Sequence, residues 1–146
     1  MKKEEFEKFL HNKIPITKAM KVNVEEFNNF KVRLSAKLEP NINDKGTAFG
    51  GSISSLMTLC GWSMAFMIMM ETDPQAQVVI QKSNINYLVP ITGDFFAECV
   101  LGEGEAKEQF LDMYRERKKG RLKLKVRCYS GDILSAEYEG MYVALR

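Results

Sequence analysis

The sequence is poor in the groups that carry most hydrolytic and metal chemistry. It holds one histidine, His11, and three cysteines, at 60, 99 and 128. A Ser–His–Asp or Cys–His mechanism would therefore have to run through residue 11. No G-x-S-x-G elbow occurs. No His/Cys cluster has metal-ligand spacing, so no metal is expected. Phosphate loops of the G-x-x-x-x-G-K-[ST] type are missing, as is a G-x-G-x-x-G behind a strand. An odd cysteine count without CxxC excludes a simple disulfide framework and fits reduced thiols in a cytoplasmic protein. The opening MKKEEFEKFL has no apolar run behind its lysines, so no secretory signal is expected. Repeats and low-complexity segments are also missing.

What is present is an ordinary globular composition, 45% apolar and 27% charged over 146 residues. That length suits one domain, able to bury roughly 70% of its unfolded surface without staples. The net charge of +2 names no partner, but its distribution is uneven. Residues 1–45 are net +3, residues 46–105 net −5 and residues 106–146 net +4. No charge at all occurs from Gly46 to Met70. Serines, a threonine and glycines interrupt this stretch, so a helix buried within the domain is expected, not a membrane span.

Periodicity places the elements. Phe6, Phe9 and Leu10 give a short N-terminal helix with one apolar face, within residues 1–14. Residues 18–39 read as extended, with a turn at Asn28-Asn29; Phe30, Val32, Leu34, Ala36 and Leu38 alternate with polar residues. A central helix is expected over 50–71, closed by Asp73-Pro74 and apolar on every side in its second half. Strands follow at 77–89, 95–101, 121–129 and 133–145, with a break at 102–104; residues 105–116 fit either helix or strand. Hairpin-like links imply an antiparallel sheet whose inner face wraps the helix, an α+β domain.

The informative segment is Asn41-Ile42-Asn43-Asp44-Lys45-Gly46-Thr47-Ala48-Phe49-Gly50-Gly51-Ser52. Two glycines open a buried helix. Its first N–H groups are unpaired and carry partial positive charge, and glycine lets a ligand approach them. Such a site can polarise a carbonyl and hold a developing oxyanion or enolate. The alternative is tight packing alone, with Thr47 or Ser52 as a cap.

This segment, followed by a charge-free helix with Gly61-Trp62, then Ile85-Asn86-Tyr87-Leu88-Val89-Pro90 and Gly93-Asp94, resembles the hotdog superfamily. Within it the chain is similar to the YiiD C-terminal thioesterase family, found alone or fused behind a GNAT-type acetyltransferase. The resemblance implies one hotdog domain over residues 1–146. A five- or six-stranded antiparallel sheet would wrap the 50–71 helix, and two subunits would join into a continuous sheet as a homodimer or dimer of dimers. It implies acyl thioesters of coenzyme A or acyl carrier protein as substrates, placing the protein in fatty acid metabolism. CoA or phosphopantetheine would enter as part of the substrate, with no separate cofactor. The carbonyl would point at the amides of Gly50 and Gly51. The Asn43–Thr47 loop would line the site, with Asn43 or Asp44 positioning water. Thr47, Phe49, Ser52, Ser55 and Tyr87 would contact substrate.

Two positions depart from the family. Asp44 stands where histidine is common, and no carboxylate lies in the 46–70 helix, where many hotdog thioesterases carry a base or nucleophile. The expected activity is thioester hydrolysis. The missing acid raises decarboxylation of a malonyl thioester in the same pocket, or binding without turnover. Asp94 is a further candidate base, or else a turn residue. Methionines at 57, 64, 67, 69 and 70 suit core packing or a pliable acyl wall, and Trp62 suits the core. Arg121, Lys123, Lys125 and Arg127 share one strand face, which is either solvated or a patch for CoA phosphates or an acidic carrier protein. Aromatic residues do not interleave there, so no nucleic-acid partner is expected.

Overall fold

The computed structural model describes residues 1–102 and 105–146. Two helices, α1 (Lys3–Lys13) and α2 (Ile16–Ala19), precede strands β1 (Asn23–Phe27) and β2 (Lys31–Ala36). A 3-10 turn at Glu39–Asn41 leads to the long helix α3 (Gly50–Thr72). Then come β3 (Gln77–Tyr87), β4 (Phe95–Val100), helix α4 (Glu105–Arg117), β5 (Lys119–Ser130) and β6 (Ile133–Leu145). The six strands form one sheet in the order β1-β2-β4-β5-β6-β3, and every pairing is antiparallel.

Alternation decides which sheet face meets α3. Leu122, Leu124, Val126 and Cys128 of β5 are buried, while Arg121, Lys123, Lys125 and Arg127 between them are exposed. The buried set meets α3, which packs against β2, β3, β4, β5 and β6. Leu56, Met57, Cys60, Met64 and Ala65 of α3 are fully buried. By length and hydropathy α3 could cross a membrane, but 61% of its most apolar window is buried within this fold. Glycines permit the closest contacts. A Cβ on Gly61 would collide with the Tyr142 ring. The Tyr142 hydroxyl instead donates to Thr58 O at 2.7 Å.

The two sheet edges differ. Helix α1 lies along β1: Phe6 stacks on Phe27 with centroids 4.0 Å apart, Val24 N donates to Glu7 Oε1 (2.7 Å), and His11 Nε2 meets Val22 O (2.8 Å). At the other edge, β3 is exposed over most of its length, Val79 and Ile80 included. A long, uncovered edge strand is a ready template for pairing.

Two expectations need correction, and one left open is settled. Within 18–39, the start is the one-turn helix α2, entered through Pro15, whose fixed φ suits a helix start. Phe30 does not join β2. The Asn28 side chain accepts from Phe30 N and Lys31 N, holding Phe30 in the turn, 68% exposed. The ambiguous 105–116 segment is helical. It buries Phe110, Leu111 and Tyr114, and Tyr114 Oη donates to Asp73 Oδ2 at the end of α3 (2.6 Å). The break expected at 102–104 lies partly outside the described residues.

Candidate functional site

The loop ahead of α3 closes on itself. Ile42 and Ala48 form an isolated bridge, and Gly46 takes the turn with φ +81°. Asn43 braces the interior: its Oδ1 accepts from Lys45 N (2.8 Å) and Thr47 N (3.1 Å), and its Nδ2 donates to Thr47 Oγ1 (2.8 Å). Asn43 and Thr47 are thus engaged with each other. Asp44 points to solvent. Its side chain is 81% exposed and meets Lys45 Nζ at 3.2 Å. Below the loop, buried Asn41 ties α2 to the end of β2 by donating to Met20 O and Lys37 O (2.9 and 2.7 Å).

Phe49 caps α3 in an extended conformation without a side-chain hydrogen bond. Its carbonyl accepts from Ser52 N and Ile53 N at 2.9 and 3.1 Å. Among the described residues no acceptor meets the N–H of Gly50 or Gly51. These are the free donors of the helix start, at its positive end. The Phe49 ring lies over Gly51, where an added Cβ would strike it. Tyr87, the last residue of β3, reaches across and donates to Gly50 O at 3.2 Å. Ser54 and Ser55 both donate to Gly51 O (3.1 and 2.7 Å), so their hydroxyl oxygens keep acceptor capacity.

From this point two pockets that share Ile16, Met20 and Ser55 follow α3. The first, about 370 Å³, is lined by Phe49, Gly51, Ser52 and Ser55 against Asn41 and α2. The second, about 340 Å³, is lined by Ser54, Ser55, Thr58, Leu59 and Trp62, with α2 and Ile80 as walls. Both volumes fall in the range of small-ligand sites. Trp62 is fixed by donating Nε1–H to Val78 O at 2.8 Å.

Gly50, Gly51, Phe49, Ser52, Ser55 and Tyr87 thus come together at the helix start. Asn43 and Thr47 shape the adjoining loop, and Asp44 is turned away. Asp94 is a clasp between strands. It accepts from Leu38 N (2.9 Å), and mainly that bond holds its carboxyl below the usual range. The stripe Arg121–Arg127 is not part of this constellation, because it lies on the outer sheet face, away from α3. There Lys125 stands opposite Glu139, and Arg127 lies between Glu98 and Glu137. The sequence reading missed the α2 wall (Ile14, Ile16, Met20) and the pocket residues Thr58, Leu59 and Trp62. The spacing Gly51, Ser55, Thr58/Leu59, Trp62 marks one stripe of a helix and was the available signal.

Residues 3–146 match the model of the family described as "Putative thioesterase (yiiD_Cterm)". A putative thioesterase from Shewanella oneidensis superposes with TM-score 0.86 at 27% identity, over 99% of this chain and 97% of that one. A protein of unknown function from Chlorobaculum tepidum gives TM-score 0.91 at 27% identity, over 99% and 94%. A probable thioesterase from Pseudomonas aeruginosa, at 20% identity and TM-score 0.81 over 97% and 95%, shares the fold.

Proposed function

This chain belongs to the YiiD C-terminal thioesterase family, and from that premise we propose that it acts on acyl thioesters of coenzyme A or acyl carrier protein, hydrolysing them at the start of α3. The observation that carries the reading is the pair of unpaired amides at Gly50 and Gly51 at the start of α3, with Gly51 lining the adjoining pocket. A thioester carbonyl accepting from both would be polarised by donors that are already in place. Attack by water would place negative charge on that oxygen, where the amides and the helix dipole stabilise it. Collapse would then expel the thiolate, which takes up the proton that the attacking water loses. A single preorganised donor of this kind is worth roughly 10²–10³ in kcat. Tyr87 and Phe49 would flank the acyl carbon, and Ser52 and Ser55 would contact the thioester arm.

The assembly we propose is a homodimer joined through β3. The edge is long and uncovered, it exposes Val79, Ile80 and Tyr87, and Ile80 also lines the pocket beside α3.

A specific observation favours a second reaction in the same pocket. Hydrolysis needs a base for water, yet α3 carries no carboxylate before Glu71, and the Asp44 carboxylate is out in solvent. Decarboxylation of a malonyl thioester needs no base. The bond to the carboxylate breaks and carbon dioxide leaves. The electron pair moves into the thioester as an enolate, with its charge on the carbonyl oxygen held by the same two amides. Protonation at carbon then gives the acetyl thioester. A neutral pocket also spares the substrate carboxylate from repulsion.

Incubating the protein with acyl-CoAs and acyl carrier proteins, malonyl forms included, and reading products by mass spectrometry separates the readings. Free thiol from an acyl thioester means hydrolysis. An acetyl thioester from the malonyl form means decarboxylation. Saturable binding with every substrate intact would reject both in favour of a binding role.

A further inference from the structure

We infer that the Tyr87 hydroxyl tunes the carbonyl site through the backbone: by donating to Gly50 O it orients and polarises the peptide that carries the Gly51 N–H. Tyr87 is in this sense a positioning residue. The catalytic value of that N–H rests on the thioester reading above.

Each free amide shares a peptide plane with the carbonyl of the preceding residue. The Gly50 N–H belongs to the Phe49–Gly50 peptide, and Phe49 O accepts twice, from Ser52 N at 2.9 Å and Ile53 N at 3.1 Å. The Gly51 N–H belongs to the Gly50–Gly51 peptide. Gly50 O accepts from Ser54 N in the helix ladder and from Tyr87 Oη at 3.2 Å. A carbonyl oxygen has two lone pairs, so both oxygens are fully used. Donation to a carbonyl draws charge toward its oxygen and makes the N–H of the same amide a stronger donor, by about 10–30% per bond. For Gly50 the backbone supplies both bonds. For Gly51 the second bond comes from one side chain.

Ser54 and Ser55 also donate in this turn, but to Gly51 O. The N–H of that peptide is Ser52 N–H, already spent on Phe49 O. Their effect does not reach a free donor. Among the described side chains, Tyr87 alone acts on one.

The hydroxyl is held from the sheet. Tyr87 pairs with Ala136 of β6, and Leu88 N and Val89 N both donate to Ser135 O at 2.8 and 3.3 Å. The end of β3 is therefore fixed, and the ring spans from it to the helix start. One phenol proton cannot serve Gly50 O and a substrate oxygen together, so direct donation to substrate would break this brace.

Tyr87→Phe removes the hydroxyl from an exposed ring and leaves no buried gap. Gly50-Gly51 is the single Gly-Gly step in the chain. Labelling glycine with carbonyl ¹³C and with ¹⁵N therefore marks one directly bonded carbon–nitrogen pair, readable by NMR without substrate. In Tyr87→Phe the Gly50 carbonyl resonance should move upfield as it loses a donor, with the melting curve unchanged. A resonance that stays in place overturns the brace. With acyl-CoA as substrate, kcat should fall about two- to eightfold, a tenth to three tenths of the logarithmic effect of a donor worth roughly 10²–10³. KM should stay within about twofold, because the contact strengthens as charge develops. A hundredfold loss would make Tyr87 a direct donor to substrate, an unchanged kcat would make the amide indifferent to it, and a rise in KM alone would make it a wall. Each of these overturns the assignment. Absence of turnover in wild type would reject the proposed reaction, and the carbonyl resonance would still decide the brace.

Discussion

The ring of Phe49 occupies the space that a side chain on Gly51 would need. The cap residue of α3 is thereby folded onto the first turn of its own helix, and glycine is what permits it. Gly51→Ala must push the ring aside. Phe49 is exposed, so the ring can swing, and alanine favours helix by about 1 kcal/mol. Stability should therefore hold while kcat/KM falls by roughly tenfold or more, since the methyl and the displaced ring both crowd the amides. Adding Phe49→Ala should restore part of the loss. Gly50→Ala, whose Cβ would meet nothing closer than Tyr87 at 3.8 Å, should cost less. Steady-state kinetics on the three variants checks this.

Asp44→Asn tests whether Asp44 takes part in turnover. The carboxylate is exposed and paired to its neighbour Lys45. We expect turnover within about threefold of wild type, the range of a surface substitution. A loss of a hundredfold would instead make Asp44 a general base that turns inward on substrate binding, and would favour hydrolysis.

The Tyr114–Asp73 bond joins α4 to the end of α3, and it links stability to pH. The Tyr114 hydrogen bond is the main reason the Asp73 carboxyl sits below its usual range, with Gln75 N–H and Arg146 assisting. Burial, then the same bond, pushes the Tyr114 hydroxyl up. A depressed folded value means that the Asp73 contribution is present above the unfolded value, near pH 4. It is lost as pH falls through the folded value. The Tyr114 contribution has the opposite sense. It is present below about pH 10 and lost in stronger base. Tyr114→Phe should lower the melting temperature at neutral pH and flatten the acid limb, read by thermal melts from about pH 2 to 7.

The thiols should be inert in the native state. Cys60, Cys99 and Cys128 are fully buried. Burial pushes Cys99 and Cys128 up to about 12 and raises Cys60 further from reactivity. A thiol-specific reagent at pH 8 should label none before unfolding and all three in denaturant, counted by mass.

Val79→Lys on β3 probes the proposed dimer. A charge on the open edge disfavours strand pairing. The variant should shift from dimer to monomer in light scattering without loss of the fold.

Much of the fold was legible in the sequence because its periodicities are clean. The charge-free run from Gly46 to Met70, with Asp73-Pro74 closing it, placed α3 to within one residue at its end, and the alternation in β5 matched its burial. Where the reading failed, local hydrogen bonds outranked pattern. Phe30 continues the apolar alternation of β2, but the Asn28 side chain holds it in a turn. The 105–116 segment stayed open between helix and strand because α4 buries three side chains on a mostly charged segment, too narrow a face to fix the period. The site was half legible. Glycines at a helix start announce free amides by composition. Whether Asp44 faces in or out is set by the Asn43–Thr47 brace, and the α2 wall exists through long-range packing.

The unequal edges also govern how large an assembly this sheet can build. With α1 sealing β1, a copy that adds through β3 presents its own sealed β1 at the far side. If the chain pairs through β3 as proposed, growth by strand pairing would end after one addition, as a symmetric closed pair. Removing α1 would turn a stopper into a second adhesive end, and the same sheet could then run on as a fibre. The short N-terminal helix is thus a chain terminator for the sheet, quite apart from its place in the core.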